Sequence, residues 1–164
     1  MGHNATQFCK KRGIKNTWKV KDWYEAGYLG AAKRIETEKK HIYDIPEDTP
    51  APYNANPRIK TITALSRELM KAAAHQRSVF PEMYPKLQPG TVERLISEFI
   101  TAGYMRKVQT ASGCCYLELT VRGYEFMNNL DDKQKESIYK KVERTIAAGG
   151  TLIQVLSVII PLIA

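Results

Sequence analysis

The run IPEDTPAPYNANP, residues 45–57, sets four of the chain's eight prolines within thirteen positions. Proline has no backbone N–H and pushes the residue before it out of helical conformation, so neither a helix nor a central strand passes through such a run. The 164-residue chain is therefore expected to divide there, with a first unit over 1–54, a linker over 55–60 and a second unit over 61–129. Units this small bury only thin cores, which favours a few short helices and hairpins over any large enzyme scaffold. With 43% hydrophobic and 26% charged residues the chain has the composition of a folded protein.

In the first unit, Ala5 to Arg12 reads as a short helix anchored by Phe8, and Gly13 breaks it. A second helix is expected to start under a cap from Asn16 or Thr17 and to close at Gly27, with Val20, Trp23 and Tyr24 as its buried stripe. Two short helices around a glycine turn make a helix-turn-helix. Ala31 to Ile35 and His41 to Ile45 then read as strands around the polar loop Glu36 to Lys40, a hairpin in the place of a wing.

The order of helix, "RGI", helix ending "EAGYLGA", basic hairpin and "IPEDTPAPY" resembles the small winged helix-turn-helix domains of the MerR and excisionase type. The matching positions are Val20, Gly27, Gly30, Ala31, Ile45, Pro46, Asp48 and, more loosely, Pro50 and Pro52. The resemblance covers about residues 4–54. It departs from the pattern in a second helix one residue longer than usual, and in an aromatic, Tyr43, set two before Ile45. It implies a winged-helix fold and suggests DNA binding, in a transcription regulator or an accessory factor of a mobile element.

The second unit repeats the theme. Ile62, Leu65, Leu69 and Ala72 recur at helical spacing and predict a helix over Thr61 to Gln76. Pro89-Gly90 opens another, marked by Val92, Leu95, Ile96, Phe99 and Ile100 and closed by Gly103. A hairpin follows, Tyr104 to Gln109 and Cys115 to Leu119, and Thr120 caps a helix from Val121 to Asn129. The string "PGTVERLISEFITAGYMRKV…YLELTVRGYEFM" resembles generic bacterial winged-helix domains, which serve as DNA readers and as protein-interaction modules alike. Residues 130–144 read as a charged helical spacer. The expected fold is thus mainly α with small β-hairpins, two tandem winged helix-turn-helix units followed by a C-terminal hydrophobic helix.

The formal net charge is +8 with a pI near 9.4, which favours a polyanionic partner, nucleic acid or an anionic membrane surface. Residues 1–60 hold 12 basic and 7 acidic side chains, so the excess sits mainly in the first unit. Between Lys10 and Lys21 stand Lys10, Lys11, Arg12, Lys15, Lys19 and Lys21, with no acid before Asp22. That stretch spans the turn and the start of the expected recognition helix, where such motifs meet phosphates and base edges. The expected DNA-binding set adds Asn16 and Thr17 at the turn and Lys33 and Arg34 on the wing; a merely solvated basic face is the competing reading. Trp23 reads as core, while Trp18 stays open. In the second unit Lys86, Arg106 and Lys107 are too few for a DNA site. Phe80, Met83, Tyr84 and Tyr116 read as core by default and, where exposed, as candidates for an interaction surface, through which 61–129 would bind a protein partner or a second copy.

Residues 145–164 carry no charge and one strongly polar side chain, Gln154. Twenty residues of helix span about 30 Å, the thickness of a bilayer's hydrocarbon core, so a membrane anchor is expected, with a buried packing or dimerisation helix as the alternative. Lys133, Lys135, Lys140, Lys141 and Arg144 precede it and would hold the remainder at the cytoplasmic side of the membrane, the cytoplasm itself being the alternative location. No apolar run follows the first charges, so no secretory signal is expected. Cys9, Cys114 and Cys115 lack metal or redox spacing, and His3, His41 and His75 are scattered. No catalytic residue, metal or cofactor is expected, and the chain reads as non-enzymatic.

Overall fold

A computed structural model describes residues 2–153, which contain six α-helices and two small antiparallel hairpins, helices dominating. The first helix, α1 (Ala5–Lys11), is only two turns long and would not persist alone. It is held at its start by a reciprocal box, in which Gln7 N donates to Asn4 Oδ1 at 2.9 Å and Asn4 N to Gln7 Oε1 at 3.0 Å. Its buried Phe8 and Cys9 tie it to the core. Gly13, at φ +65°, turns the chain.

The next helix, α2 (Lys19–Glu25), begins later than the cap residues suggest. Its N-cap is Trp18, with no side-chain cap bond; instead Val20 N donates to the Thr17 carbonyl at 3.1 Å and Lys21 N to that of Trp18 at 3.3 Å. Neither Asn16 nor Thr17 caps the helix, because this tight turn takes up the first amides with backbone carbonyls. Gly27, at φ +76°, closes α2 as expected. Strands β1 (Lys33–Glu36) and β2 (His41–Asp44) pair with Lys33 opposite Asp44 and Glu36 opposite His41. Phe8, Cys9, Val20, Leu29, Ile45 and Ala51 form the core of this half, with Trp23, Tyr24 and Tyr43 packed around it.

The second half carries α3 (Ile62–Ala74), α4 (Thr91–Thr101), β3 (Met105–Gln109), β4 (Cys115–Leu119), α5 (Val121–Asn129) and α6 (Asp132–Ala147). Thr61 and Thr120 cap α3 and α5 through their hydroxyls, which accept from Ala64 N and Gly123 N. Leu65, Leu69, Leu95, Phe99, Tyr104, Leu117 and Phe126 lie at the centre of its core, with Tyr104 edge-on to Phe126 at 5.6 Å.

The stretch expected to be a spacer belongs to that core. Ile138, Tyr139, Val142 and Ile146 line one side of α6 and are buried. That side packs on α3, where Thr63 N donates to Glu143 at 3.0 Å and Arg67 pairs with Glu136. Four apolar residues among sixteen are enough for a helix whose other sides are solvated.

The expected hydrophobic helix over 145–164 is also corrected in its first part. Thr145 to Ala147 complete α6, and Gly149 turns the chain at φ +78°. Leu152 is then fully buried, with its N–H donating to Glu98 of α4 at 2.9 Å. Among the described residues no helix is long and apolar enough to cross a membrane. Residues 154–164, the rest of the expected anchor, lie outside the described residues.

The proline-rich run is a strap pressed between the two cores. Thr49, Pro50, Ala51 and Pro52 are buried. Tyr53 N donates to the Ser78 carbonyl at 2.8 Å and Ser78 N to that of Ala51 at 3.1 Å. Beyond it Glu68 accepts from the hydroxyls of Tyr53 and Tyr84 and from Asn56 N. Burial and the Glu68 carboxylate push the Tyr53 phenol up to about 12. Ile59, within the expected linker, joins the second core.

Candidate nucleic-acid interface

The expected DNA-binding residues fall into three groups once their partners are known. Lys10, Lys15, Asn16, Thr17 and Lys33 are exposed, and their side chains make no hydrogen bond or ion pair with any described residue. The late start of α2 leaves Asn16 and Thr17 in this group, since capping would have consumed their side-chain oxygens.

Lys11, Lys19 and Lys21 are loosely held at the surface. Lys11 Nζ lies 3.2 Å from His3 Nε2 and 4.0 Å from Glu47, and Lys21 lies 3.8 Å from Glu25 one turn along α2. Lys19 Nζ donates to Asn54 Oδ1 at 2.7 Å and sits 6.0 Å from the Trp18 ring centre. Exposed pairs of this kind contribute at most about 1 kcal/mol each, so a phosphate would displace such partners at small cost.

Arg12 and Arg34 are committed to the fold. Arg12 donates to the Glu47 carbonyl at 3.0 Å, while its own carbonyl accepts from Arg77 of the second half at 2.9 Å. Arg34 sits 3.2 Å from Glu36 and 3.0 Å from His41 Nε2. Its Nε is buried without a partner among the described residues. Both guanidinium groups hold the hairpin and its exit in place.

Lys15, Asn16, Thr17, Lys19 and Lys21 form one continuous stretch over the turn and the first turn of α2, whereas Lys33 and Arg34 stand on a separate element, β1. In the midst of that stretch Trp18 is 63% exposed, the largest exposed aromatic surface among the described residues. Trp23, one and a half turns on, is half-buried against the core, so the two tryptophans separate as their spacing from Val20 suggests.

Sequence reasoning missed the contribution of the second half. Arg77 and His75 line a pocket of about 300 Å³ together with Gly13, Ile14, Lys19 and Trp23. Arg77 is held below the usual arginine range by burial and by the Arg12 charge. No local pattern announces this, because the pocket exists only where the halves meet.

The other surface candidates resolve differently. Tyr84 is buried, its hydroxyl 3.3 Å from Glu68, and Phe80 stacks on Tyr28 of the first half. Arg106 pairs with Glu118 at 2.6 Å. Among the described residues no group of three His, Cys, Asp or Glu side chains converges as a metal site. Compared with known protein families, curated proteins and solved structures, the chain finds no match.

Proposed function

We propose that the chain is a DNA-binding protein of two winged helix-turn-helix units, reading DNA through the first. The observation that carries this is the outward display of Lys15, Asn16, Thr17, Trp18, Lys19 and Lys21 at the turn and start of α2, with no acidic residue before Asp22. Cations there neutralise phosphates, and the short polar side chains have the reach to touch base edges. The order of α1, glycine turn, α2, hairpin and "IPED" exit supports the MerR and excisionase comparison, and with it a role as a regulator or mobile-element accessory factor. The proposal assigns no catalytic residue, metal or cofactor.

The second unit is proposed as an interaction module. The helix in its recognition position, α4, sets Glu93 and Ser97 at the surface, with Ile96 and Ile100 half-buried at the edge of the core beside them. Among these four there is no cation to meet phosphates, so α4 is not proposed to read DNA.

Membrane attachment enters the proposal only through residues beyond Ile153. A span over 145–164 would have to draw Ile146 and Leu152 out of the second core.

Fluorescence anisotropy of the full chain tests the DNA reading, on its own upstream region against random duplex of equal length. The expected result is preference for the upstream region that persists as salt rises. A folded chain that binds neither duplex at low salt would overturn it and leave both units as protein-interaction modules.

A further inference from the structure

A mainly apolar concavity lies between the two halves, away from the cationic turn. It encloses about 560 Å³, the size of a site for one small molecule. One side is the Gly27 to Gly30 turn that carries Tyr28; the other is the outward face of α4, and the β3–β4 hairpin lies beneath.

Three features indicate what would fill it. First, Ile96 and Ile100 of α4 pack at the edge of the second core, half-buried, and the surface they leave open gives the cleft an apolar wall. Second, Tyr28 and Phe80 stack across the two halves with centroids 4.3 Å apart and planes within 11°. Both line the cleft, so a flat ring extends an existing stack. Third, the cleft holds one cation, Lys107, whose side chain makes no ion pair or hydrogen bond with any described residue, while the adjacent Arg106 is bound to Glu118. The opposing charge, Glu93, sits in the first turn of α4, where the helix N-terminus offsets it. Among the described residues, Lys107 is therefore the one cation lining the cleft that can pair with an acidic group on a ligand.

We infer that this cleft binds a planar aromatic small molecule bearing one acidic group, with its ring against Tyr28 and the isoleucines and its acid toward Lys107. The site is walled by both halves, so occupancy fixes how they sit against each other. It is independent of the DNA surface and stands or falls separately from it.

The test uses 1-anilinonaphthalene-8-sulfonate, a flat aromatic monosulfonate, titrated into the full chain. The expected result is saturable one-to-one binding with blue-shifted emission. Lys107→Glu is expected to weaken it at least about tenfold, while Lys107→Arg keeps it within about threefold. Ser97→Trp, at an exposed position lining the cleft, fills the space and abolishes binding without touching the core; its melting temperature reports that it still folds. Absence of saturable binding overturns the inference, as does binding that Ser97→Trp and Lys107→Glu both leave unchanged. Binding that appears only after residues 154–164 are removed also overturns it, since the cleft would then be filled by the chain's own apolar end.

Discussion

A methyl group on Gly123 would lie 2.0 Å from the Tyr104 carbonyl oxygen and 3.0 Å from Leu119. The helix α5 can approach the hairpin this closely only because the residue has no side chain. Gly123→Ala is expected to destabilise the protein by about 2–3 kcal/mol, since backbone must shift to admit it; urea unfolding measures the loss. A change within about 0.5 kcal/mol would mean that α5 moves away freely. The motif "LTVRGYEF" makes this glycine and its Thr120 cap legible in sequence, since both belong to one local turn. Gly30 is legible only as a turn former. Its second constraint, a Cβ that would lie 2.3 Å from Cys114 Sγ, comes from a residue far along the chain. The same limit explains Arg12 and Arg34. Their charge marks them for DNA in the sequence, but the groups that occupy them, Glu47, Arg77, Glu36 and His41, are settled by folding.

Most elements are legible in the sequence because each carries its own signal. The capping threonines, the glycines at left-handed φ and the apolar periods of α3 and α4 all act within a few residues. Two elements differ from their sequence signals for physical reasons. The start of α2 slides past its good cap residues because backbone carbonyls of a tight turn satisfy its amides first. The helix α6 reads as a spacer because its charges outnumber its four buried residues, although Ile138, Tyr139, Val142 and Ile146 keep a helical interval. A chain ending at Asn129 would lose those four, Leu130 and Leu152 from the second core. Each buried apolar side chain contributes about 1.5–3 kcal/mol, against a typical total stability of about 5–15 kcal/mol. We therefore expect the shortened chain to show no cooperative unfolding of its second half in urea. A midpoint equal to that of the full chain would show that α6 adds nothing to the fold.

At the scale of the molecule, the docking of the halves joins two thin cores into one body. Asp48 of the first half accepts from Ser112 N of the second at 2.8 Å, and that hydrogen bond, helped by the Ser112 and Thr110 hydroxyls, holds its carboxyl below the ordinary 3.8. A lowered folded value stabilises the protein above the unfolded value and loses that contribution as pH falls through the folded one. The melting-temperature gap between the natural chain and Asp48→Asn should thus be full at neutral pH and shrink as pH falls below the ordinary carboxylate value of 3.8. A gap that stays constant as pH falls through and below that value would contradict the assignment. Little of this docking can be read from the sequence. The proline run marks where the cores separate, but nothing local reveals that it is a strap pairing with Ser78, or that Tyr28 meets Phe80. Both candidate sites follow the same division: the cationic turn is visible in one short stretch, and the cleft is not.

The central claim is that cations on the turn and on α2 bind DNA. Its most direct test is the salt dependence of duplex binding by the full chain. Lys15→Gln, Lys19→Gln and Lys21→Gln combined are compared with Lys133→Gln, Lys140→Gln and Lys141→Gln combined, three exposed lysines on α6. The account predicts that the first set weakens binding and lowers the slope of log K against log salt by about 0.9 for each phosphate no longer neutralised, while the second set leaves both unchanged. Equal effects of the two sets would contradict it, because the binding would then follow net charge and not this surface.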